Sequence, residues 1–383
     1  MNIGILYPRS KAHPGITQDL LDGLKTFIKQ HELDKEWTLF SESIGIGGAE
    51  KEVYEKAEKL LIIDDVDVLV AYIDLRVMPI LEPLFYTSAK PVIIINPGAN
   101  FPQNWIPQPN TMFLTLQHAF LCSLTGHLAS DAENGRAGMT TTFYDCGYLH
   151  TAAMVKSFSR SGGIISFNYV NNQLYNDDFN IKELADLLSS DKTTHSLLCV
   201  FDELPASLLY DQLNAFDDAG DLHLFVSPMM LQQKALEKLP GGFKFSVDGY
   251  LPWDFSSTNE ANTFFKDSYQ KQAKKNAGIF SLLGWETGMI LQQVAIGCKD
   301  NIRDGAKVVE TLAGTKIPGP RGELKLDPAT NYFISPVVRC SVKNNSDKIE
   351  MTGIGFPEHE WKTFSSVPIE GVTSGWTNTY LCY

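Results

Sequence analysis

Basic residues are scarce in this chain. Lys and Arg together number 32 against 45 Asp and Glu, a formal net charge of −13 over 383 residues. A surface that negative repels polyanions on average, which excludes nucleic acid and anionic membrane as partners. The six cysteines (Cys122, Cys146, Cys199, Cys298, Cys340, Cys382) lie far apart with no C-x-x-C pair. That excludes a zinc ribbon and a compact disulfide framework, and reduced thiols are the plain reading, with Cys199 a small hydrophobe in an apolar strand. No stretch reaches the ~18 consecutive apolar residues of a membrane span, so no membrane insertion is expected. Low-complexity tracts and 20- to 50-residue repeats are also missing. Met1 leads straight into the strand NIGILY, without a basic segment, an apolar run or a small-residue cleavage site. The expectation is a periplasmic protein given without its export signal, or alternatively a cytoplasmic one.

Catalytic and cofactor signatures are missing too. There is no G-x-x-x-x-G-K-[ST], no H-E-x-x-H and no G-x-S-x-G. GIGGAE, from Gly45 to Glu50, follows a strand and opens a helix, but Glu50 stands where a dinucleotide fingerprint has its third glycine and sets negative charge beside a pyrophosphate. The eight histidines are dispersed, and His118 and His127 do not fall at the i, i+4 spacing of a helical metal site. No cofactor, no metal and no enzymatic activity are expected.

What is present is alternation. Strand 2–7, a loop PRSKAHPG and a helix with Ile16, Leu20, Leu21, Leu24, Phe27 and Ile28 on one face form a first unit. Strand WTLFSES, helix 49–63, strand 67–72, helix 76–88 and strand 91–96 continue it. A Pro/Asn-rich stretch, PGANFPQNWIPQPN, ends this series. After TMFLTL and a helix near 117–131 a second series runs through strands 137–143, 164–170, 196–201, 222–227 and 243–250, with helices 148–161, 180–190, 204–219 and 230–238 between them. Short apolar strands alternating with amphipathic helices predict parallel sheets covered on both faces. Helices near 258–276, 282–299 and 304–313 have no strand between them and must pack on an existing half. GELKL and YFISPVVRCSV then read as a hairpin turning at DPATN. The fold class is α/β with two doubly wound halves.

The order of elements resembles the type I periplasmic binding-protein fold, in particular the branched-chain amino-acid and amide binding family that serves ABC transporters. IGILYPRS with Gly23 is similar to that family's opening strand, loop and helix. AEKLLIIDDVDVLVAYIDLRVMPILEPLFYTSAKPVIIINPGA is similar to its next two strand–helix units, YDCGYLHTAAMVKSFSRSGGIIS to the first unit of its second lobe, and LNAFDDAG to a later helix end. VDGYLPWDFSSTNEANTFFKDSYQKQAKKNAGIFSLLGWETGMILQQVA is similar to its crossover strand, Pro-Trp segment and two long helices. The resemblance implies two parallel-sheet lobes joined by three crossovers near 116, 250 and 332. One lobe would be 1–116 plus 251–331, the other 117–250 plus 332–383. It also implies a non-catalytic protein closing on a small polar or amphipathic ligand such as an amino acid, amide or organic acid, with an ABC permease as partner if exported. A cytoplasmic ligand-sensing regulator is the alternative.

Only loops after strand ends reach a crevice between such lobes. From the first series these loops carry Arg9, Ser10, Tyr72, Asp74, Asn96, Gly98, Ala99 and Asn100. From the second they carry Tyr148, Phe201, Asp202, Glu203 and Met229, and the loop holding Tyr148 offers Tyr144 and Asp145 in place of a phosphate-cradling glycine run. In the family the first set would hold a carboxylate through hydroxyls and helix N-termini, with Ser10 suited to it and Asp74 opposed. The resemblance places a ligand-covering ring at Tyr148; Asp202 or Glu203 would pair with an ammonium, and Met229 and Phe201 would supply apolar wall. Other readings stand beside these: Tyr148 as a helix opener, Asp202 as the N-cap of the next helix, Arg9 with Asp74 as an exposed ion pair, and Trp253 as a hinge-packing residue.

Overall fold

The structure, a computed structural model, describes residues 1–383 except 12, 103–105, 132–134, 173–177, 237–241, 347, 370–379 and 382–383. Cys382 and the end of the helix expected over 230–238 lie outside the described residues. The strands are β1 (Asn2–Tyr7), β2 (Thr38–Ser43), β3 (Val68–Tyr72), β4 (Val92–Asn96), β5 (Thr111–Thr115), β6 (Arg136–Thr142), β7 (Ile164–Asn171), β8 (Ser196–Val200), β9 (His223–Val226), β10 (Ser246–Leu251), β11 (Lys316–Gly319), β12 (Gly322–Asp327), β13 (Tyr332–Ile334), β14 (Val338–Val342) and β15 (Ile349–Gly353). The helices are α1 (Ile16–Gln30), α2 (Glu50–Glu58), α3 (Met78–Ser88), α4 (His118–Ser130), α5 (Leu149–Arg160), α6 (Lys182–Ser190), α7 (Glu203–Ala215), α8 (Gln233–Leu236), α9 (Glu260–Ala273), α10 (Ile279–Cys298), α11 (Gly305–Ala313) and α12 (Glu358–Ser366).

Two sheets result, in the orders β11-β12-β13-β5-β4-β3-β1-β2 and β15-β14-β10-β9-β8-β6-β7. From β2 to β13 in the first, and from β10 to β7 in the second, every pairing is parallel; the antiparallel pairings lie at the other ends. β3 and β4 are apolar apart from Tyr72 and Asn96 and are buried along their whole length, as strands covered on both faces must be. The hydroxyl- and carboxylate-bearing β2 (TLFSES) stays partly exposed at its edge.

α10 is the spine of the first lobe. It is buried nearly all round, Glu286 included, and by length and composition it alone among the described residues passes as a membrane span. Its packing explains that composition, because a helix apolar on every face can equally be the core of a large lobe. α1 crosses it so closely that a Cβ on Gly284 would stand 2.0 Å from Leu20 O, and one on Gly23 2.1 Å from Ser281 O.

The chain changes sheets three times: between β5 and α4, after β10, and between β13 and β14. The last change comes after Ile334, later than the expected 332, because Tyr332 and Phe333 pair with Phe113 and Leu114 of β5. The expected hairpin is β12–β13, and the run YFISPVVRCSV breaks at Ser335 and Pro336 so that its second half pairs with β10 in the other sheet. The stretch from 332 onward is therefore shared between the two halves. On α12, Trp361 and Phe364 meet Phe101 and Phe120 edge-on or tilted, Trp361 also lies tilted against Tyr332, and Trp361 Nε1 donates to Asp327 Oδ2 at 2.9 Å.

Candidate functional site

In an open parallel sheet the ligand crevice forms beyond the C-terminal strand ends where successive connections diverge. β1 lies between β2 and β3 in the first sheet, and β6 between β7 and β8 in the second. The loops that matter are therefore those after β1, β3, β6 and β8. The structure brings these loops together.

After β1, Ser10 Oγ accepts from His13 N–H at 3.0 Å, holding the loop so that the imidazole points across the gap. His13 Nε2 meets Asp202 Oδ2 at 2.6 Å. Asp202 uses its other oxygen to accept from Glu203 N–H at 2.7 Å, so it is the N-cap of α7 as well as the partner of a cation, and that cation is the protein's own. Behind it, Asp145 Oδ2 accepts from the Asp202 N–H at 3.0 Å and from the Thr142 hydroxyl at 2.7 Å.

Two carboxylates this close and this buried do not both ionise freely. Burial, then the negative charge of Asp202, raises the Asp145 carboxyl to about 7; the Thr142 hydroxyl, the Asp202 N–H and His13 pull the other way. Burial opposes the His13 imidazolium, but Asp202 outweighs it and the His13 pKa ends above its ordinary value. His13 and Asp202 thus bridge the two switch points, with Asp145 held behind Asp202 through its main-chain N–H.

On the inner side of the cleft, burial pushes the imidazoles of His118 and His150 down to about 3, with His150 and Arg321 adding to the effect on His118. Both rings are neutral. Gln117 Nε2, His118 Nε2, both His150 ring nitrogens, Arg321 Nη1 and the Tyr72 hydroxyl are buried and find no partner among the described residues. Buried polar atoms are nearly always satisfied, so such a group marks where ordered water or a ligand belongs. Arg321 is otherwise engaged, by Glu286 at 2.8 Å and by Thr115 O at 3.1 Å.

The NPGAN loop after β4 is a contact between the lobes. Asn96 ties this loop to the one after β3, donating to Ile73 O and accepting from Gly98 N–H, both at 2.8 Å. Gly98 has φ +75°, and a Cβ there would stand 2.8 Å from Gln117 N. Ala99 O accepts from His150 N–H at 2.9 Å and Asn100 Oδ1 from Leu149 N–H at 3.0 Å. The N-terminus of α5 is thus capped across the cleft by the first lobe. Asp74 is buried, accepting from Leu75 N–H at 2.7 Å and Asn100 Nδ2 at 3.0 Å.

The remaining sequence candidates divide. Tyr148 is buried, occupies the N-cap position of α5 and tilts against His150 at 5.7 Å. Tyr72 and Met229 join one apolar cluster with Trp253, and Trp253 donates to Asn262 Oδ1 at 2.8 Å, the packing role anticipated for it. Phe201 does not line the cleft: it turns into the second lobe's core against Phe179. Glu203 faces Lys234 at 3.5 Å, and Arg9 is exposed, bonding Gly45 O through its main-chain N–H. An open cavity of about 220 Å³ lies elsewhere, beside α12 and lined by Phe101, Tyr332 and Phe364; it holds none of the titrating groups.

The family described as "Periplasmic binding protein" matches residues 2–347. The chain belongs to that family. It is a solute-binding protein, not an enzyme. Among solved structures it is similar to a solute-binding protein of an ABC transporter from Rhodopseudomonas palustris in complex with benzoate, at 17% identity over 93% of this chain and 95% of that one, with a TM-score of 0.72. A solute-binding protein from Rhodopseudomonas palustris BisB5 with 3,4-dihydroxybenzoic acid aligns at 14% identity over 97% and 99%, TM-score 0.73. A branched-chain amino-acid binding protein from Streptococcus pneumoniae with isoleucine aligns at 12% over 92% and 99%, TM-score 0.66. No curated protein matches the sequence. At such identities the structural likeness establishes the fold, and it agrees with the two-lobed reading of the sequence.

The sequence reading does not propose His13, His118, His150, Arg321 or Gln117 as site residues, though the structure sets His13 against Asp202 and leaves buried polar atoms of the other four without partners among the described residues. His13 was passed over as loop, and His118 was weighed only as a metal ligand. For His13 the signal is positional, since it follows closely on β1 at a switch point; His118 opens α4 after β5, which is not one.

Proposed function

We propose that this protein is the receptor of an ABC-type importer, working in the periplasm, whose lobes shut on a small polar or amphipathic organic solute and present the closed form to a permease. The carrying observation is the meeting of both switch points through His13, Asp202 and Asp145, beside buried polar atoms left without partners. Ser10, Asp74, Asn100, Tyr148, Asp202 and Met229 from the sequence reading, joined by His13 and His118, are the residues we assign to the site. Benzoate, a dihydroxybenzoic acid and isoleucine, found in similar folds, define the solutes to try first.

Native mass spectrometry of the purified protein for a retained solute, followed by a thermal-shift panel of aromatic acids, amino acids and amides, tests this. A solute bound only by the folded state at a hundredfold its Kd adds about 2.7 kcal/mol and raises Tm by a few degrees. A panel that leaves Tm unmoved, or steady conversion of a bound solute, refutes the reading.

A further inference from the structure

Tyr380 lies between the switch points. Its ring is buried, its hydroxyl pairs with His118 Nδ1 at 3.1 Å, and its carbonyl accepts from Ser10 Oγ at 3.2 Å. The ring meets His13 edge-on at 5.9 Å and His118 at 5.9 Å. Leu381 follows it into the apolar cluster of Tyr72, Met229 and Trp253. One residue of this chain therefore touches the first-lobe loop and the start of α4 at once.

The backbone at Tyr380 has φ +64°. A bulky side chain is rarely found there, because its Cβ crowds the following carbonyl oxygen. Such a conformation persists only where surrounding contacts hold it. Those contacts are the ones a free phenol would use: a neutral imidazole for the hydroxyl and ring edges on either side. His118 Nε2 adds buried polar capacity that Tyr380 leaves without a partner among the described residues.

We propose that the cleft is made for a hydroxyaryl solute, and that Tyr380 occupies the aryl position until such a solute displaces it. This rests on the solute-receptor reading above and narrows it to a chemical class. A tethered occupant lowers the apparent affinity by the fraction of molecules in which the position is free.

The probe is p-cresol, the tyrosine side chain as a free molecule, titrated calorimetrically into the full chain and its Tyr380→Ala variant. Tyr380→Ala is expected to bind p-cresol about tenfold more tightly or better, and toluene, lacking the hydroxyl, more weakly than p-cresol. In the wild type, p-cresol should speed amide hydrogen exchange at Tyr380 and Leu381, a measurement that needs no variant. Equal p-cresol affinity in the two proteins, or unchanged exchange with p-cresol bound, overturns the inference. If p-cresol fails on both while leucine or another non-aryl solute binds the wild type, this inference falls and the receptor reading stands. If the whole solute panel fails, both fall.

Discussion

Replacing Asp145 by Asn tests the electrostatics of the cleft directly. The carboxyl has a native pKa of about 7 against 3.8 for the free group, so between those values the folded chain holds a proton that the unfolded chain has released. Stability then falls as pH rises, by up to about 1.4 kcal/mol per pH unit for one group. Proton uptake by Asp145 contributes about 2.7 kcal/mol at about pH 5 and almost nothing at about pH 8. The asparagine oxygen can still accept from the Thr142 hydroxyl and the Asp202 N–H, which both reach Asp145 Oδ2. Its amide nitrogen stands in for the protonated oxygen. Urea unfolding followed by tryptophan fluorescence across this range should show wild-type stability dropping relative to Asp145→Asn by about 2.5 kcal/mol, several tenths of a molar in midpoint. His13 titrates in both proteins, and its coupling to Asp145 enters the difference only as a smaller, opposing contribution. A difference that is flat with pH refutes the raised carboxyl. One that grows in the wild type's favour means that Asp145 is ionised and paired with His13.

Arg321→Met leaves Glu286 charged and buried and should cost about 3–5 kcal/mol in chemical denaturation, while Arg321→Met with Glu286→Leu should recover most of it. Gly284→Ala drives a methyl into Leu20 O and should separate α1 from α10 at a cost of about 1–3 kcal/mol, read as a lowered Tm. His13→Gln removes the charged half of a contact between lobes. The folded pKa of His13 is raised, so the pair is fully formed below the free value of about 6.5 and is lost as pH rises through the folded one. Small-angle scattering near pH 6 should show a larger radius of gyration for His13→Gln than for the wild type, converging at higher pH; superimposable profiles at pH 6 would show that the pair does not hold the lobes.

The architecture could be read because its signals are local. Val68–Tyr72 and Val92–Asn96 announce buried strands by composition alone, and α1 shows one apolar face. The third change of sheet is expected near 332 and comes just after Ile334; its exact position is hard to read because a three-residue strand, Tyr332–Ile334, carries too little periodicity to separate it from the next run. The site was legible only as a set of loops. Asp202 could be singled out, but its partner is 189 residues away in sequence, and no pattern within either loop names the other. Phe201 failed for a related reason: neighbouring residues at a strand end point to opposite faces, and the sequence does not say which of Phe201 and Asp202 turns to the cleft.

The charges of the cleft limit what it can admit. His13 and Asp202 neutralise each other, Arg321 is matched by Glu286, His118 and His150 are neutral, and Asp145 is close to half-ionised near neutral pH. In the second lobe the N-termini of α7 and α5 are already capped, α7 by Asp202 and α5 by Ala99 and Asn100, whereas α1 in the first lobe starts at Gly15 with no side-chain cap. A solute carboxylate entering beside Asp145 without displacing these contacts raises that carboxyl further, whereas one at the start of α1 meets uncapped N–H groups. A neutral phenol meets no such cost, since an uncharged imidazole and aromatic edges are what it requires. On the proposal made above, the ionisation state of the cleft and the residue lodged in it favour the same kind of molecule.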